Sequence, residues 1–438
     1  MSQSNQTDTL LDILSRTERL PKHLLDAYQN RSLEIMLRHA HDNTSFYRDR
    51  LACLFDATGN INLDALHDVP ILTRSEIQAA PEQLHAEDVP ENSGTKCNSY
   101  TSGSTGEPLK MRYSSINGEI ARAIQLRTYG WNDIDFNGTL AAISTQETLA
   151  EAIQFGALEP RWNALGTGEL LFLNLKGSTV SDQLKWLASH KAKYLRSFPT
   201  VCCTLLQEAD RQGIRFNLEK ILTVGELIPD LMREAKPDHW PDVIDSYATT
   251  ETGPICSQCR YGTYHIHREN VFLEILDDDG EPTAPGDIGH VVVTALYNFA
   301  MPFIRYAIGD FAVPGDDQCA CGSSLPTVQR IVGRQRNYFR FPGGRDVWPF
   351  AKSRKIGKYV PNRFRQIAQV SDYGIEFRYT PEAEDQSEDP AGLQTYLAEC
   401  LDPNIQLKLV RIPIPVRIHG QKHLEYICEL AQSKTVPT

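Results

Sequence analysis

The sequence predicts an α/β protein, with a large N-terminal domain over residues 1–333 and a small α+β unit over 334–438. Three observations lead there. Up to about residue 330, helix-like periods alternate with short apolar strands. Two strand-like runs between 271 and 296 flank a turn-rich segment. After Gly333 the composition changes to the charge- and glycine-rich "RQRNYFRFPGG", which reads as a hinge at Gly333 and Arg334.

The elements follow in order. Leu33, Met36, Leu37 and Ala40 recur at the spacing of one helix face, so the N-terminal region is helical. "SDQLKWLASHKAKYL" repeats the pattern with Leu184, Leu187 and Ala188 on one side, and "KILTV" and "HVVVTAL" read as strands. "VFLEILD", the turn "DDGEPTAPGD" and "IGHVVVTAL" read as an antiparallel pair, because Asp, Gly and Pro supply the turn geometry. In the tail, "GIEFRYT" and "IQLKLVRI" suit strands of a small α+β unit, and the acidic "PEAEDQSEDP" at 381–390 suits a solvated loop.

At 438 residues, 41% hydrophobic and 23% charged, the chain has ordinary globular composition and can bury a large core. Its formal charge of -12 repels phosphate backbones and anionic lipid surfaces, so neither nucleic acid nor membrane is an expected partner. The N-terminus "MSQSNQTDTLLDILSRTERL" lacks the pattern of a secretory leader, and a cytoplasmic location is expected. Ten cysteines in such a chain read as thiols or metal ligands rather than disulfides. Cys53, Cys97, Cys202, Cys203, Cys400 and Cys428 read as buried small hydrophobes.

"YTSGSTGEPLK" at 100–110 is short of bulky side chains and rich in hydroxyls. Glycine lets the backbone approach an anion, and Ser and Thr donate to phosphate oxygens, so the run can cradle phosphates or be a simple turn. It is not a Walker loop, because Glu107 follows Gly106. Downstream come "TVGE" at 223–226, "DSYATTETGP" at 245–254, "MPFIRYAIGD" at 301–310 and "IVGR" at 331–334. Together these five motifs, in this order, resemble the adenylate-forming ligases, and more closely their phenylacetate-CoA ligase and capsular-biosynthesis-like branch. "LRHAHDNTSFYRDRL", "DVPILTRSEI" and "CACGSSLP" are similar to segments of the same branch.

The resemblance implies a large AMP-binding domain, a small mobile C-terminal lid, and ATP-dependent activation of a small-molecule carboxylic acid. The acid attacks the α-phosphate to give acyl-AMP and pyrophosphate, and an acyl acceptor then displaces AMP. It places Thr101, Ser102, Ser104, Thr105 and the amides of Gly103 and Gly106 on the β- and γ-phosphates, with Lys110 adding charge. Thr250 donates to the α-phosphate, Glu251 holds Mg²⁺, and Tyr247 stacks on adenine beside Gly225, Glu226, Ala248 and Thr249. Asp310 accepts from the ribose hydroxyls and Arg334 reaches ribose or phosphate. Ala248 stands where the family usually has glycine, and Gln335, Arg336 and Asn337 replace its acidic hinge.

The family's late catalytic lysine is matched by Lys422 in "HGQKHLEY", with a surface role as the alternative and Lys434 as a second candidate. Tyr129, Trp131, Phe198 and Pro199 fall near the acyl pocket or in the core, and their aromatic character suits an aryl or other flat acid. Coenzyme A is the expected acceptor, an amine or another small nucleophile the alternative, and a homodimer is left open. Intact Thr250, Glu251 and Asp310 argue against a non-catalytic binding relative.

Cys259, His265, Cys319 and Cys321 supply three thiolates and an imidazole, a tetrahedral zinc set filled entirely by protein and therefore structural. Some members of the resembled branch have a similar arrangement. Cys256 is an alternative to Cys259, while His267 is expected to face solvent or the active site. The paired strands at 271–296 are expected to bring the two ligand pairs together. A zinc-stapled interaction module would leave the nucleotide-type motifs unexplained.

Overall fold

A computed structural model of the chain describes residues 3–100, 109–145, 157–159, 161–163, 165–234, 236–316, 318–334, 339–343, 345–347, 351, 353–413 and 425–430. Helices α1 (Gln3–Thr17), α2 (Lys22–Asn43), α3 (Ser45–Arg50) and α4 (Arg74–Ala79) open the chain, followed by strands β1 (Lys96–Tyr100) and β2 (Lys110–Ser114) and helix α5 (Ser115–Trp131). The middle alternates: β3 (Leu140–Ser144), β4 (Ala157–Glu159), β5 (Leu170–Asn174), α6 (Val180–Ser189), β6 (Tyr194–Ser197), α7 (Pro199–Gln212), β7 (Lys220–Val224) and α8 (Asp230–Glu234). A run of strands follows: β8 (Asp242–Thr249), β9 (Gly253–Gln258), β10 (Tyr264–Ile266), β11 (Val271–Leu276), β12 (Gly289–Ala295), β13 (Tyr306–Pro314) and β14 (Thr327–Arg334). The chain closes with β15 (Phe339–Phe341), β16 (Arg345–Val347), α9 (Ser353–Tyr359), β17 (Asn362–Gln369), β18 (Gly374–Pro381), α10 (Pro390–Cys400), β19 (Gln406–Arg411) and β20 (Tyr426–Cys428).

By packing, the chain forms two units, Met1–Ile134 with Ile244–Val332, and Asp135–Val243 with Gly333–Thr438. In the first, strand order runs β11-β12-β13-β14-β10-β9-β8. β11 and β12 pair antiparallel from Val271 opposite Ala295 to Leu276 opposite His290, as their turn residues require. Helix α2 buries Leu25, Gln29, Leu33, Met36, Leu37 and Ala40, the face its apolar spacing marks. Leu33, Leu37 and Ala40 join Tyr47, Leu72, Met301, Phe303 and Tyr306 in one core. β1 and β2 pair antiparallel, with Tyr100 opposite Lys110.

In the second unit, β3 runs parallel to β5 and β6, and β6 parallel to β7, with β4 antiparallel at the edge. Alternating strands and helices make such parallel neighbours because the crossover helix returns the chain in the same direction. α6 ends at Ser189 and buries Gln183, Leu184, Trp186 and Leu187. Ala188 is exposed, and the rest of the quoted stretch leads into β6, where Tyr194 and Leu195 are buried. The C-terminal segment forms a four-stranded sheet, β19-β18-β17-β20, backed by Leu393 and Leu397 of α10. Cys202 and Cys203 are buried as expected, whereas Cys53 is exposed and Cys97, Cys400 and Cys428 are half-buried.

Candidate functional site

In the first unit, β8 and β9 are antiparallel, with a bulge between Tyr247 and Ala248 that re-aims the strand end. Thr249 shapes the turn that follows: its hydroxyl accepts from the Thr252 backbone N–H at 3.1 Å and lies 2.9 Å from the Thr252 hydroxyl. Gly253 closes the turn at φ +75, a conformation that favours glycine. This turn exposes Thr250 and leaves Glu251 half-buried.

Although β8 and β13 are not neighbours in strand order, the Tyr247 hydroxyl donates to Asp310 Oδ2 at 2.6 Å. The motif pair read from "DSYATTETGP" and "MPFIRYAIGD" is therefore one place in space. Glu251 meets a residue that sequence reasoning missed. Arg74 Nη1 lies 3.4 Å from its Oε1, with the carboxylate side chain 13% exposed. The only signal for Arg74 was its presence in "DVPILTRSEI". A carboxylate so placed, with one oxygen toward a cation, suits a hard divalent metal at its other oxygen.

Lys110, on β2, is half-exposed and lies 3.9 Å from Glu82. Thr101, Ser102, Gly103, Ser104, Thr105 and Gly106 lie outside the described residues, as do Lys422, Lys434, Gln335, Arg336 and Asn337. Arg334 ends β14. In the second unit, Gly225 follows β7 at φ +87, and a Cβ there would stand 3.4 Å from the Phe198 ring. Pro199 begins α7, and the Thr200 hydroxyl donates to Glu226 at 2.5 Å. Tyr129 is buried on α5, and the Trp131 indole donates to Glu18 at 2.8 Å while its ring stacks on His267. These last two side chains are committed to packing within the first unit.

Cys259, His265, Cys319 and Cys321 converge, with their ligand atoms all within 4.8 Å of one another. Cys259 Sγ is 3.7 Å from Cys319 Sγ, and Cys321 Sγ is 3.2 Å from His265 Nε2. Four-coordinate zinc with bonds near 2.3 Å to sulfur and 2.0–2.1 Å to nitrogen needs donor separations of about 3.5–3.8 Å. The set therefore fits with small adjustment. His265 Nδ1 is 3.0 Å from the Leu325 carbonyl, and donation there turns the Nε2 lone pair toward the thiols.

The convergence has a different cause from the expected one. β10 pairs with β14, His265 opposite Thr327, and the β9–β10 hairpin carries Cys259, while the ends of β11 and β12 take no part. Cys256 lies on β9, outside the cluster. His267 does not face solvent: it is fully buried, with Nδ1 2.9 Å from Arg127 and Nε2 3.0 Å from Ser257, whose hydroxyl donates at 3.1 Å to Ser246 of the 245–254 motif.

Burial pushes the Cys259 thiol up and Cys321 up to about 12. Cys319 is also pushed up by burial, but hydrogen bonds from Cys321 and Thr263 outweigh this and hold it below the usual thiol range. Burial lowers His265, keeping its imidazole neutral. Four such donors converging on one point are a set that a dication would hold together.

No protein-family model matches the chain. It is 25% identical over 335 residues, 72% of each chain, to phenylacetate-coenzyme A ligase of Thermus thermophilus. It is 23% identical over 364 residues, 76% of each chain, to phenylacetate-coenzyme A ligase of Escherichia coli. Among solved structures, 2-hydroxyisobutyryl-CoA ligase in the postadenylation state with 2-HIB-AMP matches with a TM-score of 0.71 at 18% identity, over 93% of this chain and 90% of that one. The chain is a relative of the phenylacetate-coenzyme A ligases and has the adenylate-forming ligase fold. That fold agrees with the α/β class expected from the alternation of helices and strands. No helix among the described residues is long and apolar enough to cross a membrane.

Proposed function

We propose that the chain is an ATP-dependent acid ligase that makes an acyl-adenylate, releases pyrophosphate, and passes the acyl group to coenzyme A. The observation that carries this reading is the meeting of Tyr247 and Asp310 at 2.6 Å beside the turn that presents Thr250 and Glu251. Such a place offers an aromatic ring for a base, a carboxylate for two ribose hydroxyls, and a hydroxyl and a carboxylate for the phosphates. In this reading Thr101, Ser102, Ser104, Thr105 and the amides of Gly103 and Gly106 cradle the β- and γ-phosphates. Lys110 adds charge, and Ala248 and Thr249 complete this part of the nucleotide site. Phe198 and Pro199 line the acid pocket, where a ring beside Gly225 suits a flat or aryl acid.

Glu251 would hold Mg²⁺, which would supply neutralisation of phosphate charge. Residues 334–438 are the small C-terminal domain of this reading, and Lys422 on it serves the adenylation half-reaction. Cys259, His265, Cys319 and Cys321 hold a structural zinc. An amine acceptor is the second reading, favoured by the non-acidic Gln335, Arg336 and Asn337 in place of the family's hinge. A pyrophosphate-release screen over aromatic and aliphatic acids, followed by product analysis with coenzyme A or with amines, tests both. Acid-dependent release and an acyl-CoA product are expected; an amide product selects the second reading, and no acid-dependent release with any member refutes both.

A further inference from the structure

A metal-binding carboxylate works best when its rotamer is fixed before the metal arrives, and the fixing is done by a neighbour outside the coordination shell. Glu251 sits on a turn. Among the described residues, the polar side chain that reaches it is Arg74, through Oε1 at 3.4 Å.

Arg74 is itself firmly seated. It is the first residue of α4, whose N-cap Thr73 forms a capping box with Glu76. Arg50 donates to Glu76 at 2.8 Å and to the carbonyls of Pro70 and Ile71 at 3.0 and 2.8 Å, clamping the segment that precedes the helix. Leu72 donates to the Arg305 carbonyl at 2.8 Å and accepts from the Ala307 amide at 2.9 Å, laying this segment alongside the start of β13. The contacts close a ring. β13 carries Asp310, Asp310 holds Tyr247, the strand of Tyr247 leads into the Glu251 turn, and Glu251 meets Arg74, whose own segment returns to β13.

Resting on the acid-ligase reading above, we propose that Arg74 is a positioning residue for the metal–nucleotide complex. It keeps the Glu251 carboxylate aimed through Oε1, so that Oε2 is presented to Mg²⁺. Arg74 touches neither acid nor acceptor in this assignment; it acts through Glu251. The ring of contacts makes the same element that seats the ribose acceptor also seat the metal ligand, so nucleotide and metal positions are set from one frame.

The test uses the full-length protein and three variants, Arg74→Ala, Arg74→Lys and Glu251→Gln. Two quantities are read: the Mg²⁺ concentration for half-maximal pyrophosphate release, and Mg²⁺-dependent binding of a non-hydrolysable ATP analogue by calorimetry. Arg74→Ala is expected to raise the Mg²⁺ midpoint about tenfold in both readouts, with kcat at saturating Mg²⁺ largely recovered. Arg74→Lys is expected to restore part of the shift. A lower melting temperature with an unchanged Mg²⁺ midpoint would mean that Arg74 only anchors α4, and a lowered midpoint would make it a competitor of the metal; either overturns the proposal. Glu251→Gln separates the two levels. A shifted midpoint there with none in Arg74→Ala overturns the positioning role alone, whereas no shift in Glu251→Gln overturns the metal assignment with it.

Discussion

Tyr247 and Asp310 are 63 residues apart in the chain, yet one hydrogen bond of 2.6 Å joins them. A tyrosine that donates to one carboxylate oxygen fixes the carboxylate plane, and a carboxylate has acceptor sites enough to serve two neighbouring hydroxyls. Ribose contacts exist in both the ground state and the transition state, so they change apparent affinity more than turnover. Asp310→Ala is therefore expected to raise the ATP KM by about tenfold or more, with a much smaller loss in kcat, measured by pyrophosphate release at saturating acid. An unchanged KM would remove Asp310 from the nucleotide site. Arg74 shows why some of the site was hidden from sequence reading. It lies 177 residues from Glu251, at the start of a short helix whose local pattern records only its cap.

At the scale of elements, the Cys/His loop and the N-terminal helix share one buried network. The Thr17 hydroxyl donates to Glu269 at 2.5 Å, Arg127 donates to Glu269 at 2.7 Å and to the Leu14 carbonyl at 3.1 Å, and the Ser324 amide donates to the Glu18 carbonyl at 2.7 Å. Breaking a buried ion pair such as Arg127–Glu269 by removing one partner typically costs about 3–5 kcal/mol, because the remaining charge is stranded. The cysteine loop is tied to this network through Ser324, two elements of which already pack as α1 on α5. Cys319→Ser with Cys321→Ser is expected to lose about one zinc per chain, to melt lower, and to exchange backbone hydrogens faster over residues 3–17 as well as around the ligands. Elemental analysis and hydrogen-exchange mass spectrometry read these outcomes. A metal-free wild type purified without chelator, or a double variant of full stability, would contradict the zinc assignment.

At the scale of the molecule, what was legible in the sequence was what local pattern and ordered motifs encode. The helix face at Leu33, Met36, Leu37 and Ala40, the antiparallel pair β11–β12 and the strand "KILTV" all follow from periodicity and turn chemistry. The end of α6 was misplaced because "HKAKYL" continues a helical pattern while Tyr194 and Leu195 are drawn into the sheet beside β3. The four metal-type ligands were legible as residue types, but the pairing that gathers them, β10 on β14, is a long-range register that spacing does not encode. The burial of His267 was hidden for the same reason, since it depends on Arg127, Ser257 and Trp131 from distant elements.

In the proposed reaction, one carboxylate oxygen of the acid becomes bonded to the α-phosphorus of ATP as pyrophosphate leaves. Incubating the full-length protein with Mg·ATP, coenzyme A and an active acid labelled with heavy oxygen in its carboxylate, then measuring AMP by mass spectrometry, tests that bond directly. The expected result is AMP carrying one labelled oxygen, together with unlabelled pyrophosphate. Label appearing in inorganic phosphate alongside ADP, or acid-dependent turnover with no label in AMP, would contradict it.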